Sequence, residues 1–560
     1  MAAASQYDSG EKTLAEEARA RSPGDAEEAA TDGEKKDVEA GAAAADQTNY
    51  PGPLAAGLLM LAICVAVFLV SLDRTVVATA IPRITDEFNS FGDIGWYAGA
   101  YALSGCAMQL PLGRFYSFYP PKVVFVTLLF VFIVGSAVGA GAPNSATVIV
   151  GRAIQGVGCA GVFSGSIILL MDNVPLQRRP MFVGAAMATM SISSIIGPLI
   201  GGALTSNATW RWCFIINIPL SMATIAVVYF TVKHTPGREG STKGSVEKLK
   251  HLDPLGALFL IPAVISLVLA LQWGGAEYAW QSWRIVLLLV LSGVLAIAFA
   301  TVQVMMPDTA TVAPRVICQR SVASSLLFST CSGGAMMVVV YWIPIWFQAI
   351  KNASPVQSGE MTIPLLLSQA LASIAAGGLV SKVVGYAPPF MLASSVMMSI
   401  GAGLLTTLKM DSGHSEWIGY QILFGFGLGF GMQQSSNSVQ AILDKTAFNS
   451  AISLFFFGMQ LGGSVCVCIG QNVLNQRLIQ ALKDAAIPGL DPYAVLHTGA
   501  TQLGSLVHTD ADLAMLQFAY NHSLTSVFYV AVAVAALSLF GGALVEWRSI
   551  KGSDKKPFED

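Results

Sequence analysis

The feature that most limits what this chain can become is a series of about fourteen apolar runs, each near twenty residues long, spread between Leu54 and Val545. A run of that length crosses the hydrocarbon core of a bilayer as a helix. Lipid offers no partners for backbone polar groups, and a helix satisfies its own. The runs centre near Ile63, Ala102, Phe130, Gly158, Ser194, Ala223, Ile265, Ser292, Ala335, Leu371, Val396, Phe426, Met459 and Ala533. Those rich in Gly, Ser and Gln are the weakest, and twelve or thirteen spans would also fit the pattern. Only 12% of the residues are charged against 54% hydrophobic, whereas soluble chains carry roughly a quarter charged. Most of the surface must therefore face lipid, and the expected fold class is an all-α membrane protein.

Charge sets the layout. Cytoplasmic loops carry the Lys and Arg excess. Most of the 31 basic residues fall on one side if the N-terminus is inside: Arg114 and Lys122, Arg178 and Arg179, the cluster Lys233 to Lys250, Arg315 and Arg320, and Arg548 to Lys556. An even helix count then places both termini in the cytoplasm and the sequons at Asn207, Asn352 and Asn521 outside. Each of these Asn lies so close to a helix that glycosylation is disfavoured. Residues 1–50, rich in Ala, Glu, Asp, Gly and Lys, are expected to form a disordered cytoplasmic tail without a signal peptide. The expected divisions are a six-helix half over 51–232, a cytoplasmic loop over 233–253, two extra helices over 254–304, a second six-helix half over 305–545 with an outer segment at 471–523, and a tail over 546–560. An internal echo supports two related halves. Gly113-Arg-Phe-Tyr-Ser through Lys122 and Gly377-Gly-Leu-Val-Ser-Lys-Val-Val-Gly385 both follow the second helix of a group of six.

Several function classes drop out. A net charge of −3 gives no basic footprint for nucleic acid. No GxxxxGK[ST] loop occurs, so an ATP-driven pump on one chain is excluded and energy must come from an ion gradient. Seven of the eight cysteines sit in apolar runs, Cys318 lies in a short basic loop, and Cys466 and Cys468 lack CxxC spacing. The histidines read as loop residues without an HExxH pattern. We expect no metal, disulfide framework, cofactor or enzymatic activity.

Five motifs stand in order along the helices: Leu72-Asp-Arg-Thr-Val-Val-Ala-Thr-Ala-Ile-Pro82, Gly151-Arg-Ala-Ile-Gln-Gly-Val-Gly158, Gly197-Pro-Leu-Ile-Gly-Gly202, Trp210-Arg-Trp-Cys-Phe-Ile-Ile-Asn-Ile-Pro219 and Tyr420-Gln-Ile-Leu-Phe-Gly-Phe-Gly-Leu-Gly429. Together they resemble the major facilitator superfamily, in particular its fourteen-helix drug:proton antiporters and the fungal efflux pumps for toxins and other secondary metabolites. The resemblance implies two six-helix halves with two extra central helices, alternating access, a small-molecule substrate, proton coupling and a monomer in the plasma or vacuolar membrane. It also assigns Arg152 to a motif linked with proton transfer and Gly197-Pro198 to exporters. One motif departs from the family pattern, G-x-L-x-D-x-x-G-R-K after helix two. Gly113 and Lys122 remain, but Ser117 replaces the Asp, and Pro120 and Pro121 replace Gly-Arg.

Asp73 is the leading coupling candidate. A carboxylate inside a membrane helix is costly unless paired or hydrated, and burial favours its protonated form. The structural alternative is an interfacial residue paired with Arg74. Arg152 lies at a similar depth in helix four and is either a coupling partner or a packing ion. Gly197, Pro198, Gly201 and Gly202 thin and break helix five. Gly425, Gly427, Gly429 and Gly431 in helix twelve read as packing. Trp96, Tyr97, Gln155, Tyr341, Trp342, Gln348, Gln369, Gln433, Gln434 and Gln460 are candidates to line a substrate cavity, with an interfacial aromatic belt as the alternative for several. Proton-driven export is the first reading. A proton-coupled importer of a siderophore or other solute, and a non-transporting membrane sensor, are the alternatives.

Overall fold

The computed structural model describes residues 52–549 except 89, 91–92, 176–177, 233–251, 276–277, 308, 441, 444, 486–489 and 491–508. The expected tails and most of the loop 233–253 lie outside the described residues. Fourteen long helices run through them: α1 (Pro53–Phe88), α2 (Ile94–Phe118), α3 (Pro121–Ala140), α4 (Ser145–Asn173), α5 (Arg179–Asn207), α6 (Asn217–Thr231), α7 (Pro254–Trp273), α8 (Trp283–Met305), α9 (Arg320–Ile350), α10 (Ile363–Leu379), α11 (Pro388–Leu405), α12 (His414–Gly431), α13 (Lys445–Ala485) and α14 (Asp510–Leu544). Short helical turns fill Trp212–Ile215 and Pro355–Glu360.

Local chemistry sets several boundaries. Pro121 and Pro254 stand in first turns, where the missing N–H costs nothing. Asn144 caps α4 by accepting from the Thr147 N–H at 2.9 Å. A π-turn at Val380–Val384 ends α10 at Gly385, whose φ of +77° suits glycine.

Among the described residues, twelve helices are long and apolar enough to cross a membrane. The two that fall short are α2, whose glycines stand among Gln109, Arg114 and three tyrosines, and α12, whose five glycines follow His414 and Glu416. Their composition serves packing. A Cβ on Gly425 or Gly429 would strike the Leu365 or Gln369 carbonyl of α10, and one on Gly427 or Gly431 would strike Met397 or Ser394 of α11. Thus α12 is thin on two sides and wedges between its neighbours.

In the first group α1 packs on α5 and α6, while α2 and α3 pack on α4. In the second, α12 packs on α10 and α11, and α14 on α9, α11 and α13. The groups meet where α5 lies along α10 and α2 along α13. Helix α7 touches α2 and α13, and α8 packs on α7 with an otherwise exposed apolar surface.

Some boundaries differ from the sequence reading. The stretch from Gly113 is helical to Phe118, and only Tyr119 and Pro120 separate α2 from α3. Lys122 lies in the first turn of α3 and donates to the carbonyls of Tyr229 and Val232 at 2.6 and 2.8 Å, capping α6. The segment 471–523 is helical at both ends, as the end of α13 and the start of α14. His522 accordingly sits inside α14 rather than in a loop, because polar residues continue the helix past its apolar centre.

Candidate functional site

The sequence motif on α1 places Asp73 near the limit of the apolar window Leu54–Val77. Its carboxylate is fully buried. Arg152 of α4, also buried, donates through Nη1 to Asp73 Oδ2. Gln155, one turn further along α4, donates to Oδ1 at 2.9 Å, and Asn217 at the start of α6 donates to the same atom at 2.7 Å. Three helices thus converge on one carboxylate. The Arg152 guanidinium is in turn committed on every side. It donates through Nε to the Tyr97 carbonyl at 2.9 Å and through Nη1 to Gln155 Oε1 at 3.1 Å, and it lies 4.3 Å over the Tyr101 ring. Gln155 also donates to Ser136 Oγ of α3.

Each member of this pair would be costly without the other. An arginine or aspartate at mid-membrane costs roughly 2.5–3.5 kcal/mol on insertion scales, and the partner offsets that cost. Close helix approach makes the geometry available. A Cβ on Gly151 would lie 2.8 Å from the Gly139 nitrogen, and one on Gly135 would lie 2.5 Å from the Gln155 nitrogen. Glycines on both α3 and α4 therefore bring Ser136 within reach of Gln155.

A second set of hydroxyls lies beyond Tyr97. Its phenol donates to Ser145 Oγ at 2.8 Å, Ser145 donates to Asp93, and Ser90 lies 2.7 Å from the Tyr97 oxygen. At the same end of α1, Glu87 accepts from Trp210 Nε1 at 2.6 Å and pairs with Arg211 at 2.9 Å. The Arg211 and Trp210 donors hold the Glu87 carboxyl below the usual carboxylate range.

The sequence candidates separate into distinct places. Gln155 and Tyr97, read as cavity residues, are fully buried in or against the Asp73 cluster. Asp73 pairs with Arg152 and not with Arg74. Asn217, Ser136 and Tyr101 were missed. Asn217 lies inside the Trp210–Pro219 motif, and a lone Asn at a helix start reads as a cap. Gln433 donates to the Ser373 carbonyl and lines a narrow cleft between the two groups of helices, with a cavity volume of about 20 Å³. Its other walls are Ile167, Val183, Met187, Met432, Phe455 and Phe456, with hydroxyls from Ser329 and Ser435. Gln369 donates to the sulfur of Met432, a cleft residue, and Gln460 is the neighbour of Met459, another.

The remaining candidates lie away from that cleft. Trp96 packs edge-on against Trp273 of α7. Gln434 bonds within its own turn to the Phe430 carbonyl. Trp342 is buried beside Gly470, and Tyr341 is half exposed. Gln348 donates to Ser358 and secures the end of α9.

Gly197 and Gly201 abut Thr75 and Thr79 of α1, whereas Gly202 has nothing within 4 Å of a Cβ. Pro198 lies within the same helix, near Gly359. Asn207 and Asn352 are exposed. Asn521 is buried, accepts from Trp346 Nε1 and donates to the Leu408 carbonyl, so its amide is unsuited to carry a glycan.

Comparison with known proteins agrees with this architecture. A profile of the Major Facilitator Superfamily matches residues 63–467. The efflux pump ustT of Ustilaginoidea virens is 54% identical over 506 residues, covering 90% of this chain and 87% of that one. The efflux pump aflT of Aspergillus parasiticus is 44% identical, with coverage of 91% and 98%. The rubrofusarin-specific efflux pump aurT of Gibberella zeae is 43% identical, with coverage of 91% and 92%. Among solved structures, the human organic anion transporter MFSD10 superposes with a TM-score of 0.53 at 12% identity, covering 86% of this chain and 99% of that one. A bacterial Spinster homologue gives 0.53 at 14%, with coverage of 88% and 98%. At such identities the structural likeness concerns the fold alone.

Proposed function

This chain belongs to the major facilitator superfamily, and from that premise we propose that it exports a small organic molecule of the secondary-metabolite or toxin class in exchange for protons. Efflux transport, not catalysis, is its activity. The observation that carries the coupling is the buried Asp73–Arg152 pair. Asp73 is a buried acid within a membrane helix, with its partner able to fall back on the Tyr97 carbonyl and the Tyr101 ring. Protonating Asp73 releases Arg152, and the released charge biases the packing of α1 against α4. Alternating access then follows from the two groups of helices rocking about the cleft between them. In this closed arrangement the cleft admits no solute; opened by that rocking it suits an aromatic or otherwise apolar one, since methionine and phenylalanine walls adapt to flat surfaces and Gln433, Ser329 and Ser435 supply hydrogen bonds.

Fourteen crossings fit this scheme. With 25 and 18 residues, α2 and α12 fall within the range of roughly 17–25 residues that spans a bilayer. An even count sets both termini on one side, and the basic residues mark that side as cytoplasmic. We place the chain as a monomer in the plasma membrane or the vacuolar membrane, with the proton gradient as its energy source and no cofactor.

The test is Asp73→Asn in proteoliposomes carrying a pH gradient. Protein yield is expected to hold while gradient-driven transport falls at least about tenfold. Undiminished transport with the same pH dependence would remove Asp73 from the mechanism.

A further inference from the structure

Arg74 follows Asp73 on α1, yet it does not share the Asp73 cluster. Successive residues project about 100° apart around a helix, and Arg74 points instead towards α2 and α4. Its guanidinium lies 5.4 Å over the Tyr101 ring and 5.8 Å over the Phe163 ring, and Nη2 donates to Cys159 Sγ at 3.7 Å. Nε has no acceptor. Both oxygens of Asp73 are already occupied by Arg152, Gln155 and Asn217. Among the described residues no carboxylate pairs with Arg74. The region therefore holds two arginines and one aspartate, and one positive charge is left over. A thiol is a weak acceptor, and two aromatic faces offset only part of the cost of a cation at this depth.

Its location gives that surplus charge a use. Phe163 lies 6.0 Å from Phe456 across the boundary between the two groups of helices. Phe456 lines the cleft, as does Ile167, one turn along α4 from Phe163. The cleft walls themselves carry no charged side chain. Arg74 thus lies against Phe163, whose ring partner Phe456 lines the apolar cleft, and it keeps one buried, unfilled N–H.

We propose that Arg74 is a substrate-recognition residue that pairs with an anionic oxygen on an aromatic substrate, a ring-borne carboxylate or ionised phenol. This rests on reading the cleft as the substrate site. The ring system lies against Phe456, Met459 and Met187, and the anionic oxygen displaces Cys159 as acceptor. A planar guanidinium gives two parallel N–H donors to a carboxylate. Lysine at this position would keep the charge but lose the fork.

The experiment measures binding of anthracene-9-carboxylate and its methyl ester to the purified full chain in detergent, by quenching of probe fluorescence. The wild type is expected to prefer the carboxylate over the ester. Arg74→Gln is expected to weaken carboxylate binding about tenfold or more, the loss typical of a hydrogen bond to a charged group, and to leave ester binding unchanged. Arg74→Lys is expected to fall between the two. Retained ester binding in each variant shows that the fold survives. Equal affinity for both probes in the wild type, or unchanged carboxylate binding in Arg74→Gln, overturns the role of Arg74 alone. Failure of the wild type to bind either probe overturns the cleft as the substrate site and this proposal with it.

Discussion

Removing one member of the Asp73–Arg152 pair leaves the other charge in different company, and the two single substitutions should differ. After Asp73→Asn, Arg152 keeps the Tyr97 carbonyl, Gln155 and the Tyr101 face. After Arg152→Ala, Asp73 keeps two amide donors but no counter-charge. Breaking a buried pair by deleting one partner costs about 3–5 kcal/mol. Arg152→Ala is therefore expected to lower the thermal midpoint of the detergent-solubilised protein sharply and Asp73→Asn to lower it less. Asp73→Asn combined with Arg152→Gln should recover most of the stability without recovering transport. If the double variant is as unstable as Arg152→Ala, lost packing rather than an orphaned charge is responsible. The meeting of Asp73 and Arg152 was legible in the sequence, because two apolar helices of opposite direction carry them at overlapping depth and the family resemblance implies that those helices lie close together. Asn217 was not, since its register depends on how α6 docks against α1. Gln155 was visible but pointed to the cleft, because residue type does not reveal which side of α4 faces α3.

At the scale of elements, the junction of α1 with α5 and with the 210–211 loop carries two further expectations. A side chain at Gly201 would meet Thr79 Oγ1 at 2.1 Å and the Val76 carbonyl at 2.9 Å, whereas Gly202 faces open space. Gly201→Leu should force α1 from α5 and reduce transport at least about tenfold, the penalty of an overpacked contact of 1–3 kcal/mol. Gly202→Ala should behave as wild type, and equal damage from both would show that glycine is needed for something other than close packing. The run Gly197 to Gly202 was legible as a packing motif, but which of its glycines touch α1 required the structure. The Glu87 clamp predicts a pH response. Its carboxyl is held below the ordinary 4.5 by Arg211 and Trp210. Stability from the clamp is present above 4.5 and is lost as pH falls through the lowered folded value. Since both charges are partly exposed, the effect is small and screened by salt. The thermal midpoint of Glu87→Gln should fall less than that of wild type between pH 5 and more acidic solution, and parallel curves would show that the clamp contributes nothing.

For the whole molecule, the internal echo acquires a spatial meaning. Gly113 lies in the second helix of the first group, and its Cβ would meet Ser453 Oγ on α13, the fifth helix of the second group, at 2.1 Å. Gly377 lies in the second helix of the second group, and its Cβ would meet the Pro180 carbonyl on α5, the fifth helix of the first, at 2.4 Å. The two contacts are reciprocal, as a pseudo-two-fold relation between the groups requires. Both are flanked by further contacts between the groups. Asn449 donates to the Tyr116 carbonyl at 3.3 Å, and a Cβ on Gly184 would lie 2.6 Å from the Ser373 carbonyl. Small residues therefore let four helices close one end of the cleft. If the groups move as rigid bodies, a wedge at either contact must open both. Gly113→Leu should raise amide hydrogen exchange at 112–118 and 448–456, and also at the distant pair 180–187 and 373–379. Gly377→Leu should produce the same two-site pattern. Both should slow transport, because the closed end can no longer form. Increased exchange confined to the mutated contact in each variant would show that the two contacts open independently, and alternating access by rocking of the two groups would then be wrong for this chain.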